Sequence, residues 1–273
     1  AWRKYFTRYI DPIVIHRKKD VKEFEKKFDS EFFQIIFATH LIVYLLAKRF
    51  LEEIELPSNL KLDAKDKLFD SAFNAFSLKS QKSIKTEIEE QFRNIDTRTI
   101  EHAYDLFEKI YRTIVPSEVR KPLGEYFTPL SLAKDMVSEV DKKYENDFWM
   151  DNSSGFGVFM FAYLEKFGID NLDKFICIEV NPLSVFITKA AILWEYRNDL
   201  SKIKKLPIYW GDVLLNENYQ YAEGNIVTSN NFSEFHDKIS VVIGNPPWVS
   251  WKSMTKEYQN LIGDDWRSYD IFE

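Results

Sequence analysis

Not one glycine occurs before Gly124, and all eight lie from there onward. A long stretch without glycine has no residue that enters left-handed turns freely, so it favours packed helices joined by short connections. Apolar residues recur at helical spacing from Phe24 to Leu51, at Phe24, Phe28, Phe32, Ile35, Ile36, Thr39, Ile42, Val43 and Leu46. Pro57-Ser58-Asn59 punctuates that run. Leu68, Phe69, Ala72, Phe73 and Phe76 predict a second helix, and Ile84, Ile88 and Phe92 a third. Thr99 to His102 opens a fourth that runs through Leu106 and Ile110 to Ile114, ahead of Pro116.

After Gly124 the texture changes. FWMD (148–151), FICIEV (175–180), LPIYWGDV (206–213) and VVIGNPPW (241–248) each read as a buried strand that runs into a polar or Gly/Pro loop. Helical patterns, Phe156 to Phe167 and Pro182 to Tyr196, lie between the first three. That alternation predicts a parallel, doubly wound α/β sheet, which binds ligands at the carboxyl ends of its strands. The chain therefore divides into a helical N-terminal domain, 1–120, and an α/β domain, 121–273.

Composition narrows the class. With 45% apolar and 29% charged residues, the 273-residue chain reads as a soluble globular protein. One cysteine cannot close an intramolecular disulfide, which points to a reducing, cytoplasmic setting. One cysteine and four scattered histidines build no zinc cluster, and His16, His40, His102 and His236 read as core or surface residues. The apolar run Phe32 to Leu46, interrupted by Gln34, Thr39 and His40, is too short to span a bilayer, so no membrane partner is expected. The start AWRKYFTRY is not a signal peptide, and the absent initiator Met with the end at DIFE suggests an excised or processed chain. Basic residues slightly outnumber acidic ones before Gly124, whereas the later half is clearly acidic. The basic start reads as a solvated helix face, and DNA grip is expected mainly from elsewhere.

The most informative string is Asn245-Pro246-Pro247-Trp248, directly after an apolar strand. Two prolines cannot donate ladder hydrogen bonds, so the strand stops and the backbone stiffens. Stiffness presents the Asn245 side-chain oxygen and the Pro246 carbonyl as convergent acceptors, suited to an exocyclic amino group. Trp248 offers a flat face on which a planar base or amide can stack.

With this string the chain resembles the amino methyltransferases that use S-adenosylmethionine (SAM). It is most similar to the N6-adenine DNA methyltransferases of restriction-modification systems whose cofactor motifs precede the catalytic one. The resemblance covers about residues 110 to 273 and implies a Rossmann-like SAM-dependent methyltransferase sheet, here partial. Gly124-Glu125-Tyr126-Phe127-Thr128-Pro129 is similar to the family segment that packs over the methionine end of SAM, with Thr128 able to cap the next helix and Pro129 at its first position. Asp151-Asn152-Ser153-Ser154-Gly155-Phe156-Gly157 resembles the family's Asp-Pro-x-x-Gly-x-Gly loop. There Asp151 is implied near the methionine ammonium, and Gly155 and Gly157 allow close approach of the cofactor. Asn152, Ser154 and Phe156 depart from the family's Pro, Cys and small residue; Phe156 either narrows the pocket or points away from it. Glu179 ends the second strand at the spacing from the glycine loop that suits an acceptor for both ribose hydroxyls. The resemblance makes Asp212 the acceptor for the adenine amino group of SAM, and implies a flipped adenine held by Asn245 and Pro246 and stacked on Trp248. Cys177 reads as inert core.

Implied partners are double-stranded DNA and a specificity or nuclease subunit, in a prokaryotic cytoplasm. Asp63-x-Lys65 is too faint an echo of a nuclease site to count. Beyond Ser268 the family's remaining strands and target-recognition domain are missing, so a four-stranded sheet with an exposed apolar edge is expected. The same catalytic string serves methylation of protein glutamine and of RNA amino groups, and the altered glycine loop also suits a non-catalytic SAM-binding scaffold. These alternatives stay open at this point.

Overall fold

The computed structural model describes residues 29–60, 62, 68–97, 101–120, 125–213, 220–221, 224–225, 227–228, 238–246 and 260. Helix α1 (Asp29–Glu52) is the spine of the N-terminal part. It buries Ile36, Val43 and Leu46 of the expected apolar face together with Phe37, His40, Leu41, Tyr44, Ala47 and Phe50, while Ile35 and Ile42 lie exposed. The buried stripe is therefore wider than the expected face and takes in Phe37, His40 and Tyr44, where aromatic partners pack. The Tyr44 ring lies 4.9 Å from Phe69 and 4.5 Å from Phe186. Phe50 meets Phe92, Phe107 and Trp194 at 4.8, 5.3 and 4.9 Å. Full burial of such a ring stabilises by roughly 1.5–3 kcal/mol. The segment Gln34–Glu52 is long and apolar enough to cross a membrane, a correction to the shorter run seen in the sequence. In this structure it packs as a core helix against α4 and α8.

Helices α2 (Leu68–Asn74), α3 (Leu78–Asn94), α4 (Ala103–Ile114) and α5 (Ser117–Arg120) follow. Ser77 caps α3 by accepting from the Ser80 N–H. Helix α4 begins at Ala103 with His102 at its N-cap, the last residue of the expected opening string, and Glu195 from a distant helix accepts the Ala103 N–H at 2.6 Å. Thr99, Ile100, Phe24, His16, His236, Asp63 and Lys65 lie outside the described residues.

The α/β part contains α6 (Leu130–Glu139), α7 (Val158–Phe167) and α8 (Pro182–Glu195) with seven described strands. These are β1 (Phe148–Asp151), β2 (Phe175–Glu179), β3 (Ile208–Asp212), β4 (Gln220–Tyr221), β5 (Gly224–Asn225), β6 (Val227–Thr228) and β7 (Ile239–Val242). A parallel sheet runs β6-β3-β2-β1-β7, and β4 with β5 forms a separate antiparallel pair. The described sheet thus has five strands where four were expected, since the two-residue β6 was too short to show in a periodicity. Strand β7 ends at Val242, and Ile243 continues it by one bond to the Met150 carbonyl.

Strand order is the consequential feature. Chain order runs outward from β1 to β3, then β7 returns to the other side of β1. The β1/β7 junction is a topological switch point, where open parallel sheets leave a crevice at their carboxyl ends. One face of the sheet, with Trp149, Phe175, Cys177, Ile208 and Val241, shares a single apolar core with the helices on both sides of residue 120. The other face gathers Ile176 and Ile178 with Phe148, Met150, Tyr209, Val213 and Ile239, all from the strands or just beyond them. Val242 remains largely exposed on the β7 edge.

Candidate active site

Strand alternation places three acids on one face. Asp151 follows Trp149, Glu179 follows Cys177 and Asp212 follows Trp210 at a spacing of two, so all three point to the helix-covered side. The register steps these ends by two residues per strand, pairing Asp151 with Cys177 and Glu179 with Trp210, so Glu179 lies beyond Asp151 and Asp212 beyond Glu179 along the strand direction. Asp151 is 1% exposed and accepts the Ser153 N–H at 3.0 Å. Burial pushes its carboxyl up to about 8, and the charge of Glu179 adds to the rise. Asp212 is also buried. Cys177 is fully buried, and desolvation raises its thiol well above the ordinary range, which makes it unreactive core.

The glycine loop is fastened at its middle. The Ser154 N–H donates to the Ile178 carbonyl at 3.0 Å, and the Thr188 hydroxyl donates to the Gly155 carbonyl at 3.2 Å. Gly157, at φ +77°, opens α7; a Cβ there would lie 2.5 Å from Thr188 Cγ2, so both conformation and space require glycine. Phe156 is 3% exposed, with its ring 4.8 Å from Tyr111 and 5.0 Å from Phe127. It borders the cleft but spends its face on those two rings, so the bulky residue docks the loop onto α4.

Glu179 is half-buried and already engaged. Its Oε2 accepts the Gly155 N–H at 2.7 Å and its Oε1 accepts the Asn181 N–H at 2.8 Å. Burial raises its pKa against those bonds. Each carboxylate oxygen accepts more than one donor, so capacity for a diol remains. Asn181 caps α8 through the Leu183 N–H and donates its Nδ2 to Glu125 Oε1 at 3.1 Å. Glu125 Oε2 accepts the Tyr111 hydroxyl at 2.5 Å. Desolvation, with a contribution from Glu179, pushes the Glu125 carboxyl up to about 7.

Across the crevice, the segment 125–129 meets Asn245 of the string that follows β7. Thr128 does not cap α6 as the sequence suggested; Pro129 is itself the N-cap, and no side chain completes that cap. The Thr128 hydroxyl instead accepts Asn245 Nδ2 at 3.2 Å, and its carbonyl accepts the Tyr104 hydroxyl at 3.1 Å. Gly244 allows β7 to close on β1, since a Cβ there would lie 2.6 Å from Asp151 Oδ1. A narrow cleft is lined by Tyr126, Phe127, Thr128, Asp151, Ser153 and Asn245, among others. Tyr126 is 66% exposed at its mouth. Glu179 and Asp212 stand at neighbouring strand ends and are not part of the described lining. Gly124, Pro247 and Trp248 lie outside the described residues.

Sequence reading missed Tyr104, Glu125, Ser153 and Gly244. The first two carry no motif signal, whereas Gly244 before Asn245 marked a close backbone approach that could have been read. The Ser153 hydroxyl is buried with no hydrogen-bond partner among the described residues. His40 is fully buried and held neutral, its pKa lowered to about 3 by desolvation, and His102 joins Glu165, Glu195 and Lys134 in a polar cluster. Among the described residues no group of three His, Cys, Asp or Glu is placed to hold a metal.

Residues 173–272 match the family described as Eco57I restriction-modification methylase. That span takes in Glu179, Asp212 and Asn245 and supports the restriction-modification methyltransferase that the motifs resemble. No curated protein and no solved structure matches the chain.

Proposed function

We propose that the protein transfers a methyl group from SAM to the N6 amino group of adenine in DNA, as part of a restriction-modification or related prokaryotic defence system. The observation that carries this reading is the Asn245 amide, held at the switch-point crevice beside Asp151 by its bond to Thr128.

The residues present fit the cofactor. Ser153 offers a buried hydroxyl with no partner among the described residues, Gly244 lets the backbone before Asn245 approach Asp151 closely, and the acids Asp151, Glu179 and Asp212 suit an ammonium, a ribose diol and an exocyclic amine in turn. Tyr126, Phe127, Thr128, Pro129, Gly155 and Gly157 would complete its holding site. SAM, when bound, supplies an electrophilic methyl group. The chain's own task is to present the acceptor. Asn245 Oδ1 and the Pro246 carbonyl accept the two N–H bonds of the amine, which favours a nitrogen lone pair directed toward the cofactor side. Trp248 stacks on the flipped base. With no covalent enzyme intermediate, acceleration comes from orientation and preorganised acceptors. Double-stranded DNA is the proposed partner, gripped largely by further subunits or segments.

Calorimetric titration of the full-length protein with S-adenosylhomocysteine, beside an Asp212→Ala variant, tests the cofactor half. Saturable binding that the variant loses is expected. Mass spectrometry of digested DNA after incubation with SAM tests the acceptor half; binding without N6-methyladenine would support the scaffold alternative.

A further inference from the structure

Glu125 has no assigned part in the chemistry, yet side chains from two separate elements converge on it, and a third element backs one of them. Tyr111 reaches it from α4, Asn181 from the start of α8, and the Tyr111 hydroxyl also faces His40 Nε2 of α1 at 3.4 Å. Asn181 is the pivot. Its Oδ1 accepts the Leu183 N–H, its Nδ2 donates to Glu125, and its backbone N–H donates to Glu179 Oε1. An amide with both ends satisfied has one orientation, and Asn181 is only 4% exposed, so no water replaces a lost partner easily. The 179–181 turn, and with it the Glu179 carboxylate, is thereby fixed from the helical side.

We propose that Glu125 is a positioning residue for the cofactor's ribose, acting through Asn181 on Glu179. The assignment rests on the reading of Glu179 as the ribose acceptor. Glu125 also ties cofactor binding to the N-terminal helices, because the carboxylate that orients Asn181 is itself held by Tyr111.

The test is a double-mutant cycle on S-adenosylhomocysteine affinity in the full-length protein, using Glu125→Ala, Glu179→Gln and the pair. Loss of one buried hydrogen-bond partner weakens binding about tenfold in Glu125→Ala. In the Glu179→Gln background the same change costs less than about threefold, since its effect passes through Glu179. Glu125→Gln restores affinity to within about threefold: its oxygen accepts from Asn181 and its amide donates to Tyr111, whose hydroxyl turns to His40. Asn181→Ser, which keeps a good helix cap but removes the donor to Glu125, reproduces the Glu125→Ala loss and supplies the test where that variant does not fold. Additive losses in the cycle, or wild-type affinity in Asn181→Ser, overturn the proposal while the cofactor reading stands. Absence of binding by the wild-type protein overturns the cofactor reading, and the proposal with it.

Discussion

Asn245 Nδ2 donates to Thr128 Oγ1 at 3.2 Å, although 117 positions separate the two residues. The bond commits the amide nitrogen and leaves Oδ1 as the acceptor, which is the polarity an incoming amine requires. Tyr104 holds Thr128 from behind, so a helix of the N-terminal part backs the contact with Asn245.

Thr128→Val keeps the shape of the side chain and removes the acceptor, so the amide is free to turn over. Methylation kcat is expected to fall roughly tenfold with little change in KM, and Thr128→Ser to recover most of it. Asn245→Ala is expected to lower the rate at least about 100-fold while S-adenosylhomocysteine still binds. Steady-state methylation of adenine-containing DNA measures both, and retained activity in Asn245→Ala would sink the catalytic assignment.

Gly244→Ala puts a methyl where Asp151 Oδ1 stands 2.6 Å away. The carboxylate must move or the strands must part, at a cost of about 1–3 kcal/mol. Urea denaturation and S-adenosylhomocysteine titration should both register the change. Wild-type values in each would show that β7 does not close on β1 as described.

Phe50→Ala removes a fully buried ring that joins three other aromatics across the two parts of the chain. Destabilisation of about 3–5 kcal/mol is expected. A cooperative transition shifted to lower denaturant would fit a shared core; loss of only the N-terminal helices would contradict it.

The ligand-free protein should lose stability as pH rises through neutrality. Asp151 and Glu125 rise from 3.8 and 4.5 to about 8 and about 7 on folding, chiefly through burial. Between those limits the folded protein binds more protons than the unfolded chain, so stability is fullest below about pH 4 for these groups and falls until about pH 8. Asp151→Asn, which cannot ionise, should flatten the fall in Tm between about pH 5 and pH 8.5. A wild-type Tm that does not decline over that range would refute the burial argument.

Much of the site was legible because its signals are local. The apolar runs ending in Asp151, Glu179 and Asp212 announced strands, and period-two alternation set the side of the sheet on which each acid falls. The helical start at Pro182 followed from Asn181-Pro182, a cap followed by a residue suited to the first turn. Thr128 was misread for the same reason: Thr-Pro before a helix is a good local cap, and nothing nearby indicated that a distant amide would compete for the hydroxyl. The Ala103 N–H at the start of α4 finds its acceptor in Glu195, far along the chain, which no local pattern announced.

Element types, the residues at the strand ends and the chemistry those residue types suit were readable from the chain alone, since these depend on neighbours within a few positions. The folded arrangement alone set the return of β7 beside β1, the meeting of Asn245 with Thr128 and the bond from Asn181 to Glu125. Each of those is a contact between distant segments, selected by which polar groups burial leaves to be satisfied, and buried donors and acceptors take whichever partner the packing brings within reach.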